Sequence, residues 1–158
     1  MDDREFRHAM GRFATGVTVI TTNDGENVHG MTANAFMSVS LDPKLITISI
    51  DNHANMLGKI KESGQFGVNF LSDEQQDISM HFAGQKAKDG GIEFDEIEGI
   101  PAIKDSLASV VCDVDQTIVV GDHTLFIGKV RDFKLTEGDP LIFFCGKYGS
   151  YKQKEYVR

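Results

Sequence analysis

Residues 27–43, NVHGMTANAFMSVSLDP, hold the densest set of groups able to do chemistry. Thr32, Asn34, Ser38 and Ser40 alternate with Ala33, Ala35, Phe36 and Val39, and no charged side chain lies between His29 and Asp42. Hydrogen-bonding groups on an apolar wall suit a flat, neutral, heteroatom-rich ligand better than a metal or a strongly charged one, so the stretch reads as a cofactor cradle. Judged on residue physics alone, an equally good reading is a half-buried strand edge whose hydroxyls satisfy backbone groups.

The other reactive residues point to less. His8, His29, His53, His81 and His123 are all more than twenty residues apart, with no H-E-x-x-H or H-x-H pattern, so no metal is expected. Ser38 and Ser40 lack a G-x-S-x-G elbow, which argues against a hydrolase. The GRFATG run precedes a strand instead of opening a helix, so it is no Rossmann fingerprint. His123, in GDHT, reads first as a turn histidine beside an Asp that bonds its own backbone.

Composition narrows the class. The chain has 158 residues, 41% hydrophobic and 25% charged, which favours one domain spanning 1–158. Its 16 Lys and Arg against 24 Asp and Glu give a net charge of −8, which repels nucleic acid. No apolar run approaches the roughly 20 residues of a membrane span, and the charged start MDDREFRHAM is not a signal peptide; a cytoplasmic protein is expected. Cys112 and Cys145 form no C-x-x-C pair and read as buried thiols.

The elements that must position these residues are mostly strands. Asp2 or Asp3 caps a helix carrying Phe6, Met10 and Phe13, weakened at Gly11. GVTVITT and VHGMT flank the turn NDGE as a hairpin, and LITISID puts Ile46, Ile48 and Ile50 on a core face. Residues 54–63 and 73–82 read as helices, the second capped by Ser72, with the strand FGVNFL between them. Residues 86–100, rich in glycine and charge, read as a surface loop or lid. From Ala108 to Val120 one face stays apolar, and GDHT and EGDP then turn the chain into LFIGKVRDFKL and LIFFCGKYG. Six or seven short-spaced strands favour a mainly β architecture, a closed or split antiparallel barrel with a few short helices.

FRHAMGRFATGVTVITT, then GMTANAFMSVSLDP, FGVNFLSDEQ and GDHTLFIGKV, resemble in order and spacing the flavin reductase-like family of the FMN-binding split-barrel fold, a Greek-key barrel. The resemblance runs from Phe6 to about Tyr148 and rests on the joint occurrence of these motifs. It implies an NAD(P)H:flavin oxidoreductase that passes hydride to FMN or FAD, with NADH or NADPH as co-substrate, and supplies reduced flavin to a partner monooxygenase. It also implies a homodimer. The positions matching Thr32, Ala33, Asn34, Ala35 and Phe36, with Ser38 and Val39, line the flavin in the family. Those matching Ser49, Ile50, Asp51 and Asn55 border its ribityl and phosphate end, and Phe82 with Ala83 closes over it. His123 matches the histidine near the nicotinamide, and Tyr148 a terminal aromatic on the same side. Where the family usually has a basic residue and then Ser or Thr, this chain reads DNHANM, leaving His53 as the nearby substitute and implying a weak phosphate grip. Met37 replaces a small Ser, and Lys44 a frequent Pro. A non-catalytic flavin carrier or storage protein is the alternative that the residues leave open.

Overall fold

The computed structural model describes residues 1–155. Helix α1 (Asp3–Gly11) begins where the Asp2 carboxylate accepts from the Arg4 N–H at 2.8 Å, with Asp3 and Glu5 in its first turn. It ends at Gly11, as expected, and buries none of its residues; Phe6 and Met10 stay half exposed. A short β1 (Thr15–Gly16) leads into β2 (Thr18–Asn23) and β3 (Val28–Ala33), the expected hairpin, in register from Thr18↔Ala33 to Asn23↔Val28. Its turn is fixed by Asp24, whose carboxylate accepts from the backbone N–H groups of Glu26 and Asn27 and pairs with His29.

β4 (Phe36–Leu41) and β5 (Lys44–Asp51) form the second hairpin, with a bulge at Val39 where Ser38 faces Ile46 and Ser40 faces Leu45. Helix α2 (Asn55–Ser63) ends at Gly64 in the left-handed region, and β6 (Gln65–Phe70) follows. Ser72 and Gln75 form a capping box around a 3₁₀ turn, Asp73–Gln75, that runs into α3 (Gln76–Phe82). Inside the segment read as a loop lies a strand, β7 (Phe94–Ile97), paired with β8 (Ile100–Ile103). The hairpin forms because Glu98 and Gly99, both at positive φ, make its turn, and β8 is buried throughout. The long ribbon β9 (Ala108–Val120) and β10 (His123–Leu135) turns at Gly121–Asp122, and β11 (Leu141–Phe144) and β12 (Lys147–Ser150) close the fold.

Seven strands make the main antiparallel sheet, in the order β3-β2-β6-β9-β10-β5-β4. β3 and β4 are consecutive in sequence yet lie at its opposite edges, joined only by Asn34 and Ala35. That short link forces the sheet to roll until its edges approach, leaving a barrel split along the β3/β4 seam. Ile20, Ile48, Ile50, Phe66, Val68 and Phe126 fill the interior at 1% exposure or less. Each such side chain contributes about 1.5–3 kcal/mol relative to exposure. Buried Asn69 ties β2, β6, β8 and β9 together, donating to the Val19 carbonyl and Thr21 Oγ1 and accepting from the Ile103 N–H and Ser109 Oγ. The small sheet β1-β11-β12 and α3 enclose a second cluster of Val17, Leu71, Ile78, Ile103 and Leu141.

The expected apolar face from Ala108 to Val120 divides in two. Pairing with β6 ends at Asp113, and an extra residue at Asp115 shifts the register against β10. Below the bulge Val111 and Cys112 are fully buried; above it Ile118, Val119 and Val120 are 41%, 67% and 53% exposed.

Candidate functional site

The seam between β3 and β4 is where the cradle residues converge. Both strands are sheet edges, and edge strands present backbone N–H and C=O groups with no partner strand to take them up. Around these groups the lining from Thr32 to Ser40 carries no formal charge. Asn34 and Ala35 are exposed at the turn, and the Ala35 carbonyl accepts from the Ser49 N–H at 3.3 Å, which fastens the cradle to β5. Ala33 is held differently: its methyl packs on the core and its carbonyl accepts from Thr18 Oγ1 at 2.7 Å. Phe36 turns inward to meet Phe70 edge-on at 4.9 Å, while Ser38 and Val39 are exposed on β4. Beside Asn34, Ala35 and Phe36 opens an apolar groove of about 970 Å³, bordered also by Phe13, Thr15 and Leu141. Thr15 Oγ1 is buried there without a hydrogen-bond partner.

The opposite end of the strip is built by the β5–β10 pairing, which sets His123 across from Asp51. The Asn52 N–H donates to the Asp122 carbonyl at 2.9 Å and Thr124 Oγ1 donates to Asn52 Oδ1 at 2.6 Å, so the GDH turn is locked to the segment entering α2. His123 Nδ1 meets the Asp122 carboxylate at 2.8 Å. With Nδ1–H held there, a neutral imidazole keeps Nε2 as an acceptor. The Asp51 carboxyl lies below its usual pKa, chiefly because the His53 N–H donates to Oδ1 at 2.8 Å, with His53 and His123 adding to the effect. Ile50 has no exposed surface and is paired with Thr124 in the β5–β10 ladder, so it supports this end of the strip from inside. His53 is almost fully exposed and spends its imidazole on Asp51, at 3.3 Å.

A third wall comes from α3. Gly30 lets the Phe82 ring lie against β3, since a Cβ there would come within 2.5 Å of it. Ala83 caps the helix C-terminus and is exposed. Thr32 Oγ1 donates to the Ser79 carbonyl at 2.6 Å, and Ser79 Oγ shares a 2.7 Å hydrogen bond with Tyr148. Tyr148 therefore serves the Thr32 end of the strip, with its ring edge-on to Phe143 at 5.5 Å; its hydroxyl is not turned to His123. Ser79 escaped the sequence reading because nothing in DISMHF marks a buried link between a strand and a terminal tyrosine. Among the described residues no group of three or more His, Cys, Asp or Glu side chains is placed to hold a metal.

This donor set fits an isoalloxazine. The seam offers neutral backbone groups for a heteroaromatic edge, small side chains that permit close approach, an orphaned hydroxyl in an adjoining apolar groove, and an imidazole at one end. The flavin reductase-like domain model matches residues 10–152. The chain belongs to that family. An NADH-dependent flavin reductase of a Rhodococcus species is 43% identical over 147 residues, covering 91% of this chain and 84% of the relative. The reductase component of 4-hydroxyphenylacetate 3-monooxygenase from Thermus thermophilus is 38% identical, covering 90% of this chain and 93% of its own. Among solved structures, flavin reductase PheA2 superposes with a TM-score of 0.94 at 58% identity, over 97% of this chain and all of the other. The NADH:FAD oxidoreductase SgcE6 of Streptomyces globisporus, solved with NAD and FAD fragments, gives 0.88 at 32% identity over 95% of this chain and 93% of the other. The family's fold, a mainly β split barrel with few helices, is the one the motifs led us to expect.

Proposed function

We propose that this protein is an NADH-dependent flavin reductase that reduces FMN or FAD and hands the reduced flavin to a partner monooxygenase. The observation that carries the reading is the neutral β3/β4 seam with His123 at one end, a site able to hold a flat heteroaromatic ring and a second planar ligand, where the Asp122–His123 pair has no serine or cysteine hydrogen-bonded to it among the described residues. That lack is expected of hydride transfer, because a bound flavin itself supplies the electron acceptor. The protein's share of the work is geometric. Residues 32–36 and 38–39 hold the ring, Ser49, Ile50, Asp51 and Asn55 border its ribityl and phosphate end, and Phe82 and Ala83 flank it; the Asp122-oriented imidazole of His123 accepts from the nicotinamide carboxamide and sets its approach. Tyr148, anchored on Ser79, steadies the Thr32 side of the seam. NADPH remains a co-substrate to compare, and the curated relatives supply the preference for NADH.

The working unit in this reading is a homodimer. Support comes from apolar side chains left uncovered in a single copy: Phe13 on the chain entering β1, Met37 and Leu41 on β4, and Val119 on the ribbon, between 58% and 80% exposed. Phe13 also borders the cradle's own groove, and together the four give more open apolar surface than a small monomer usually keeps. Two free cysteines and the absence of any helix long and apolar enough to cross a membrane among the described residues are compatible with a cytoplasmic setting. Titrating the protein with FMN and then adding NADH without oxygen tests the reading: stoichiometric binding followed by loss of the oxidised-flavin absorbance is the expected result.

A further inference from the structure

Around the seam, Ser79 is the residue at which three separate elements meet. It lies in the middle of α3 and has no exposed surface. Serine is a poorer helix former than alanine, and a buried hydroxyl is costly unless hydrogen-bonded, so this side chain is explained by what it holds. Its Oγ shares the 2.7 Å hydrogen bond with the Tyr148 hydroxyl on β12. Among the described residues no other side chain of the small sheet β1-β11-β12 makes a hydrogen bond. The Ser79 carbonyl accepts twice, from Thr32 Oγ1 at 2.6 Å and from the Ala83 N–H at 3.0 Å. Thr32 begins the cradle, and Ala83 ends the wall that α3 raises beside it. One residue thus sets the spacing between the two: its carbonyl joins strand to helix, and its hydroxyl is braced from behind by Tyr148. The brace is itself held, because Tyr148 is in register with Phe143 on β11 and packs edge-on against its ring. Gly30, two residues before Thr32, completes the contact by letting the Phe82 ring lie on bare backbone.

We propose that Ser79 is a positioning residue for the flavin, and that the Ser79–Tyr148 hydroxyl pair sets the width of the slot between residues 32–36 and the Phe82–Ala83 wall. The inference rests on the flavin-reductase reading above and deepens it, giving a role to a buried side chain that acts only through the helix carrying it. Hydride transfer needs the reacting atoms held about 3–3.5 Å apart, and a displacement of about 1 Å can cost on the order of 100-fold in rate. Without the pair, α3 keeps its contacts to β3 at Thr32 and Gly30 but loses its hydrogen-bonded tie to the small sheet, so it can roll about the β3 contact. A slot loosened in this way binds the ring less tightly and lets it tilt away from the nicotinamide.

The test uses Tyr148→Phe, Ser79→Ala and the two combined, with thermal melts, FMN titration and anaerobic reduction of bound FMN by NADH on the intact protein. Tyr148→Phe removes one oxygen and keeps the ring on Phe143, so it reads the hydroxyl pair even if Ser79→Ala fails to fold. Each single variant should raise the FMN Kd about fivefold and slow reduction of bound flavin at saturating NADH about tenfold, with KM for NADH within about twofold of the parent. The combined variant should be no worse than either single one, because both remove the same bond. Parental FMN affinity and reduction rate in folded single variants would overturn the assignment and leave the pair a matter of stability alone. Losses that add in the combined variant would overturn it too, since the two hydroxyls would then act apart. So would a raised KM for NADH with flavin binding and reduction unaltered, which would place Tyr148 on the nicotinamide side. A parent protein that binds no flavin, or binds FMN that NADH does not reduce, would instead overturn the reading on which the inference rests.

Discussion

One nitrogen of His123 is committed to Asp122 and the other is left for a ligand, so its removal separates chemistry from folding. In His123→Ala, kcat/KM for NADH should fall about 10–100-fold, roughly 1.4–2.8 kcal/mol of transition-state stabilisation, while flavin affinity and Tm stay near the parent. Anaerobic reduction rates and melts on one preparation check this; an unchanged rate in a stable variant would return His123 to the role of a turn residue. The cradle itself is better probed at Ala35 than at Ala33. Ala33 packs on the core, so enlarging it disturbs the barrel, whereas Ala35 is exposed at the seam. Ala35→Leu should abolish stoichiometric flavin binding with an unchanged melt. The thiols give a further contrast. Burial pushes Cys112 up to about 12, and Cys145 is exposed. A thiol reagent at mildly alkaline pH should modify one cysteine quickly and the second only on unfolding. The expectation of two buried thiols thus holds for one of them.

The strands and helices were legible wherever periodicity and a cap coincide, as in α1 with Asp2, the β2–β3 hairpin around Asp24, and the Ser72 capping box before α3. The β7–β8 hairpin was not, because β7 sets Asp95 and Glu96 between Phe94 and Ile97 and shows no period, and the burial of Ile100–Ile103 comes from packing under distant strands. The site divides in the same way. Small polar residues at 32–40 and the GDH turn announce themselves by composition, but Ser79 enters only when α3 docks on β3. That docking depends on the glycine under the Phe82 ring. Gly30→Ala should cost about 1–3 kcal/mol in denaturant unfolding, since the added methyl must displace an aromatic ring at 2.5 Å. An unaltered stability would show that α3 is free to shift.

The whole molecule pairs a barrel filled by isoleucine and phenylalanine with an outer apolar belt on α1, β4 and the upper ribbon, which one copy leaves in water. Light scattering at micromolar concentration should return twice the chain mass, and a monomer would count against the belt being an interface. Anaerobic stopped flow follows hydride moving from a nicotinamide nucleotide to the flavin in this barrel. Protein loaded with FMN is mixed with NADH, and the oxidised-flavin absorbance is followed. Complete loss within seconds is expected, at a rate that saturates with NADH and collapses in His123→Ala. Flavin that stays bound and oxidised in excess NADH would contradict it and make the protein a carrier.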